Sequence, residues 1–257
     1  MAKKIGLILS GGGVRSMAHI GLIKCLNEEN IKIDAVGGTS AGAVVAAMYA
    51  KGYEATQMLD FFKNTSLFKY SLYTFSKPGI IDSEKFISTF EKIFPEDTFE
   101  SLKIPTFITA TNLLSGKLTY FSEGELIRPL IASSALPPVF SPIEINGNLY
   151  CDGGVLDNFP VEPLKISTDI LIGSYINPLE EISKKQIDTT LKLIYRVYQI
   201  GLDAKDIKKF DHCDYVFKPQ NLNKIGVLDT KAIEQSFQLG YEHAKKEIDQ
   251  IKLAVKY

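Results

Sequence analysis

The chain is short of the residues that would announce a disulfide framework, a zinc centre or a membrane span. Its 257 residues include only three cysteines. Cys25, Cys151 and Cys213 are far apart, odd in number and outside any C-x-x-C pattern, which argues against a disulfide-stapled secreted module and a structural zinc site. Reduced thiols at this frequency fit a cytosolic compartment. Long apolar runs are also lacking: the longest stretch of small and apolar residues, Ala43 to Ala50, is far short of a span. Only Ile5 to Leu9 stand between the basic start, Lys3-Lys4, and a serine with three glycines, too short a run for a signal peptide's apolar region. A soluble, cytoplasmic protein is expected. Neither sign of charge is in surplus, with 29 Lys and Arg against 30 Asp and Glu, whereas a dedicated nucleic-acid binder usually carries a basic excess. Histidine is scarce too, at three, which narrows the choice of catalytic base.

What is present is a globular composition, 45% hydrophobic and 23% charged, ample for a core. Ile5 to Leu9 reads as a buried strand running into Ser10-Gly11-Gly12-Gly13. Met17, Ile20, Leu22, Ile23 and Leu26 then recur at roughly helical spacing. Ala35-Val36-Gly37 is a second short strand, and Ala43 to Lys51 a buried helix closed by Gly52. Strand, helix, strand, helix at this spacing implies parallel strands and a three-layer α/β/α sandwich with a mostly parallel central sheet. Further along, Phe86, Ile87, Phe90, Ile93 and Phe94 make one helical face with Asp82 or Ser83 as cap. Ile104 to Ala110, Lys117 to Phe121, Leu149 to Cys151 and Ile170 to Gly173 read as strands. The C-terminal part, residues 180–257, reads as helical, with a last helix from about Lys231 to Val255. Without repeats or an evident linker, one domain over residues 1–257 is the simpler expectation.

Gly38-Thr39-Ser40-Ala41-Gly42 is a G-x-S-x-G motif where a strand hands over to a helix, the context a nucleophile elbow needs. A serine on so sharp a turn projects its hydroxyl from the strand edge, and glycines two residues either side remove Cβ atoms that would collide. The helix N-terminus faces any oxyanion that forms. A serine that merely caps a helix after a tight turn is the plainer reading. Ser10-Gly11-Gly12-Gly13-Val14-Arg15 also lies between strand and helix. Its backbone N–H groups could cradle a phosphate or supply oxyanion-hole donors to Ser40. It fits neither nucleotide pattern: Ser16 stands where G-x-G-x-x-G needs its last glycine, and no G-K-[ST] follows. Arg15 adds a positive charge suited to an oxyanion or lipid phosphate; taken alone, it reads as a solvated surface charge.

A serine nucleophile needs a proton acceptor, usually histidine. His19 reads as a packed or partly exposed residue of the first helix, His212 as a loop residue and His243 as part of a solvated helix face. Asp152 ends a short strand before Gly153-Gly154, a turn that can present a carboxylate at the sheet edge. An ordinary aspartate, with a pKa near 3.9, is a poor base at neutral pH, but desolvation in an apolar pocket would strengthen it. An ordinary D-G turn is the competing reading.

Taken in order, these blocks resemble the patatin-like phospholipase family. Gly11-Gly12-Gly13-Val14-Arg15 resembles its oxyanion loop, and Gly38-Thr39-Ser40-Ala41-Gly42 its nucleophile elbow. Ala132-Ser133-Ser134-Ala135-Leu136-Pro137 is similar to its small-residue block, and Asp152-Gly153-Gly154 with Asn158 and Pro160 to its aspartate turn. All lie within residues 5–165. The resemblance implies a Ser40–Asp152 dyad without histidine and an oxyanion hole from Gly11, Gly12, Gly13 and Arg15, with Gly38, Gly42, Gly153 and Gly154 in support. It also implies an acyl-ester substrate, often a lipid, and neither cofactor nor metal. Ser16 departs from the family pattern, which has glycine there; the expected effect is a narrower approach to the oxyanion and lower activity. Leu67 to Phe75, mixing aromatic and polar residues, offers a pocket wall or a lid in peripheral contact with a membrane surface, against plain core packing. The rival readings are a silent, partner-binding member of the family, a phosphate- or nucleotide-binding module built on the glycine loop, and a histidine-triad esterase using His212. Oligomeric state is open.

Overall fold

A computed structural model describes residues 3–65, 72–74 and 76–256. The first half alternates strand and helix, as the apolar runs predict: β1 (Ile5–Leu9), α1 (Met17–Glu28), β2 (Ala35–Thr39), α2 (Ala41–Lys51) and α3 (Ala55–Asn64). Then come α4 (Ile87–Glu91), β3 (Thr106–Asn112), β4 (Lys117–Phe121), α5 (Ile127–Ser133), β5 (Ile143–Ile145) and β6 (Asn148–Asp152). The chain closes with α6 (Glu162–Lys165), β7 (Ile170–Ser174), α7 (Thr190–Asp206), β8 (Tyr215–Phe217) and α8 (Ile233–Lys256). The helix expected around Phe86 is shorter than its apolar face suggests. A 3-10 turn over Ser83–Phe86 takes its start, and Pro95 disfavours helical backbone at Phe94. Residues 66–71 and Phe75, most of the segment read as pocket wall or lid, lie outside the described residues.

The strands form one eight-stranded sheet ordered β5-β6-β3-β2-β1-β7-β8, with β4 on β3. From β3 to β8 the neighbours are parallel; β4, β6 and β5 are antiparallel. The chain leaves β1 for β2 on one side and returns to β7 on the other, so strand order reverses at β1. In open α/β sheets ligands bind beyond the carboxyl ends of the strands at such a switch point. Alternation along β1 divides the core. Leu7 and Leu9 join the larger cluster with residues of α1, α2, α5 and α8, while Ile8 packs on the other face with Phe159, Leu164 of α6 and Tyr175. α8 lies along α1, and Gly21 and Gly240 sit where the two backbones touch. Among the described residues no helix is long and apolar enough to cross a membrane.

Candidate active site

Ser40 occupies the junction between β2 and α2 with φ 56° and ψ −134°. A non-glycine residue held there stores on the order of 1–3 kcal/mol, so its surroundings must impose it. The Ser40 carbonyl accepts the Ala43 N–H at 2.9 Å, which starts the helix. The Ser40 N–H donates to Ser133 Oγ at 2.8 Å. A Cβ on Gly42 would meet the carbonyls of Ser10 and Leu9 at 2.5 and 2.6 Å, and one on Gly38 would meet the Gly42 carbonyl at 2.6 Å. The two glycines of the motif thus let α2 rest on the end of β1.

Strand register brings Asp152 to the same place. β2 pairs Val36 to Thr39 with Thr106 to Thr109 of β3. β6 pairs Asp152, Cys151 and Tyr150 with Ala110, Thr111 and Asn112. β4 occupies the opposite edge of β3 over Ile108 to Asn112. β6 therefore continues the edge where β2 stops, and Asp152 lies next to the elbow. Its carboxyl is 3% exposed. Oδ1 accepts the Gly154 N–H at 2.8 Å, and the Ser40 side chain stands close enough to pull its pKa down. Burial pushes the carboxyl up to about 7, against the pull of the Gly154 N–H and the Ser40 side chain.

The glycine loop lies over the serine. A Cβ on Gly11 would meet Asn158 Oδ1 at 2.5 Å and Ser40 Cβ at 3.0 Å. The Gly11 N–H is already taken by the Asn158 carbonyl at 3.2 Å, and its own carbonyl accepts from the Asn177 amide. No partner for the N–H of Gly12 or Gly13 appears among the described residues. Arg15, which alone reads as a solvated charge, is 5% exposed. Its guanidinium donates to the Ile225 carbonyl at 2.8 Å, Asn177 Oδ1 at 3.3 Å and the Asn223 carbonyl at 3.4 Å. The reversal comes from the C-terminal third, which folds over the loop. Ser16 is fully buried, and its hydroxyl has no partner among the described residues.

The three histidines stand apart from this cluster. His19 is buried: Nε2 donates to the Ser10 carbonyl at 2.8 Å, so Nδ1 accepts from Ser174 Oγ at 2.7 Å. Burial lowers it to about 4, which keeps it neutral. His212 is exposed, 3.3 Å from Lys165 Nζ. His243, read as part of a solvated face, instead packs edge-on against Phe217. None of the three lines the pocket that opens over Ser40 and Asp152.

That pocket is mostly apolar, with Phe61, Phe86, Phe90 and Phe140 on one side and Tyr195 and Tyr198 of α7 on another. The Tyr198 hydroxyl is buried without a partner among the described residues, close to Gly154 beside Asp152. Its own burial, with Asp152 nearby, raises its pKa far above the usual phenol range. Beneath the elbow, Thr39 Oγ1 donates to the Asp157 carbonyl at 3.0 Å. The Asp157 carboxylate accepts from Tyr120 at 2.6 Å and pairs with Lys209. Sequence reading missed Ser133 as an elbow support and Tyr195 and Tyr198 as pocket residues. Ser133 was visible as part of the small-residue block, whereas the tyrosines look like any helix face packed on a core.

Residues 7–165 match the family model described as patatin-like phospholipase. A Mycobacterium tuberculosis protein named as an uncharacterized NTE family protein is 34% identical over 180 residues, 69% of this chain and 50% of its own. Lysophospholipase NTE1 of Coccidioides immitis is 26% identical over 282 residues, 97% of this chain and 18% of its own. The chain thus spans half the length of the one and less than a fifth of the other. Among solved structures, VipD from Legionella pneumophila superposes with a TM-score of 0.51 at 15% identity, over 95% of this chain and 67% of that one. That likeness concerns the fold.

Proposed function

The chain belongs to the patatin-like phospholipase family, and from that premise we propose that it is a serine acyl-ester hydrolase of lipid esters, with Ser40 as nucleophile and Asp152 as base. One observation carries the reading. Asp152 is buried beside Ser40 and raised to about 7, so it can take the serine proton near neutral pH.

In this reading Ser40 Oγ attacks the ester carbonyl while its proton passes to Asp152. The oxyanion faces the N–H groups of Gly12 and Gly13, since the Gly11 N–H is bound to Asn158. One such donor is typically worth about 2.7–4 kcal/mol of barrier. The tetrahedral intermediate collapses, the alcohol leaves with the proton from Asp152, and the acyl group stays on Ser40. Asp152 then deprotonates a water that attacks the acyl-enzyme, and returns that proton to Ser40 Oγ as the acid is released. Arg15 acts as a positioning residue: bound to the carbonyls of Asn223 and Ile225, it fixes the glycine loop. The aromatic pocket supports an acyl chain as the recognised group. The relatives named as lysophospholipases make a monoacyl glycerophospholipid the first substrate to try. The reading treats residues 1–257 as one acyl-hydrolase domain working without cofactor or metal.

The test is intact mass after reaction with a fluorophosphonate, wild type beside Ser40→Ala. One adduct on wild type and none on the variant is expected. A folded wild type that takes no adduct would move the reading to a silent, partner-binding protein.

A further inference from the structure

Of the twelve large apolar side chains most exposed among the described residues, six lie between Ile187 and Ile207, on α7 and its two flanks. The others, such as Ile80, Leu114, Ile166 and Leu253, are scattered over separate elements, as is normal for a soluble surface. On α7 they are ordered. Leu193, Val197 and Ile200, 50%, 62% and 47% exposed, follow the spacing i, i+4, i+7, and Ala204 extends the row at i+11. They form one stripe along a 17-residue helix, roughly 25 Å long. The opposite face carries Tyr195, Tyr198 and Leu202, which line the pocket over Ser40. The helix is therefore apolar outward as well as inward, with the candidate active site directly behind it.

The charges around the stripe point to one kind of occupant. Between Lys184 and Lys208 the basic residues are Lys184, Lys185, Lys192, Arg196, Lys205 and Lys208. The acids in that interval are Asp188, Asp203 and Asp206. Asp203 and Asp206 are buried, and Asp188 pairs with Lys192. The apolar row thus has a net basic rim. That combination suits a helix lying in the interface of a bilayer with anionic headgroups. It does not suit self-association: an antiparallel two-fold contact through the stripe would set Lys192 and Arg196 of one copy against Lys205 and Lys208 of the other.

We propose that the outer face of α7 is a membrane-docking surface selective for anionic lipid, which seats the chain on the bilayer with its pocket next to the lipid. The purpose of this surface rests on the hydrolase reading; its existence does not. The test is co-sedimentation with phosphatidylcholine vesicles, with and without phosphatidylglycerol, using the full chain. Wild type is expected to pellet with the anionic vesicles, and less as salt is raised. Val197→Asp with Ile200→Asp should abolish pelleting. Lys205→Gln with Lys208→Gln should lower partition to anionic vesicles by about tenfold or more and leave binding to neutral vesicles unchanged. All these positions are exposed, and turnover of a soluble short-chain ester at wild-type level would show that the fold is intact. Three results would overturn the proposal: wild type that pellets with neither vesicle, variants that pellet like wild type, or a wild-type dimer in sedimentation velocity that the aspartate variant dissolves. Wild type that binds anionic vesicles but hydrolyses no ester would sink the hydrolase reading and leave the docking surface standing.

Discussion

Thr39 and Asp152 face consecutive residues of β3, Thr109 and Ala110, although they are far apart in the chain and arrive on strands of opposite direction. Ser40 follows Thr39, so the register of two short strands sets the distance between serine and carboxyl. The proposed dyad, if set by this register, should tolerate no loss of either partner. Ser40→Ala and Asp152→Asn should each reduce kcat/KM by about 10³-fold or more. In wild type kcat/KM should rise with pH through about 7, where Asp152 loses its proton. A profile flat from pH 5 to 9 would remove Asp152 as the base.

The same burial has a consequence for stability. Asp152 is raised from 3.8 to about 7 in the folded protein, so its contribution is fully present below pH 3.8 and is lost as pH rises through 7. Three pKa units set a ceiling of about 4 kcal/mol. Asp152→Asn, which keeps an oxygen for the Gly154 N–H, should therefore be more stable than wild type at pH 8, by about 2 kcal/mol, and no more stable at pH 4. Urea unfolding at the two pH values checks this, and equal stability at pH 8 would contradict the buried-acid account.

His19 acts in the opposite direction. Its folded pKa is lowered from 6.5 to about 4, so its contribution is present above pH 6.5 and disappears as pH falls through 4. Protonation would also leave Nδ1 unable to accept from Ser174. His19→Gln should weaken the acid dependence of stability between pH 6 and 4 while lowering stability at pH 7, because the Ser10 carbonyl loses a fixed donor. An unaltered acid limb in the variant would assign acid unfolding to other groups.

Local chemistry explains what could be read from the chain and what could not. The elbow, the glycine loop and the aspartate turn each depend on a few adjacent residues, so G-x-S-x-G, three glycines and D-G-G carry them without knowledge of the fold. Arg15 is different: its partners, Asn223 and Ile225, lie more than 200 residues away, and nothing near Arg15 announces a buried role. The C-terminal helices show the other limit. Ile194, Tyr195, Val197 and Tyr198 all fall on one helix, α7, but spacing alone does not say which side is covered. The structure turns the tyrosines inward and leaves Ile194 and Val197 exposed.

Ser16 tests the departure from the family pattern. Its hydroxyl is buried and unpartnered among the described residues, and an unsatisfied buried polar group typically costs about 1–3 kcal/mol. Ser16→Ala should raise stability by about 1 kcal/mol. If Ser16 also narrows the approach to the oxyanion, Ser16→Gly should raise kcat more than Ser16→Ala does. Identical kcat in the two variants and wild type would confine Ser16 to the packing of the helix start.

Tyr198 presents the same imbalance at the site itself. Its hydroxyl is buried, unpartnered among the described residues and close to Gly154 beside Asp152, so it is free to hold a small polar molecule against the proposed base. Water attacking an acyl-enzyme is such a molecule, and Asp152 has no histidine to help orient it. Tyr198→Phe should leave the first turnover, read as burst amplitude with a chromogenic ester, close to wild type. Steady-state turnover should fall about tenfold, as for loss of one water-positioning hydrogen bond of about 1.4 kcal/mol. The fold itself should gain slightly in stability, since the variant removes a buried hydroxyl without creating a cavity. A variant with both phases intact would make Tyr198 part of the pocket wall and nothing more.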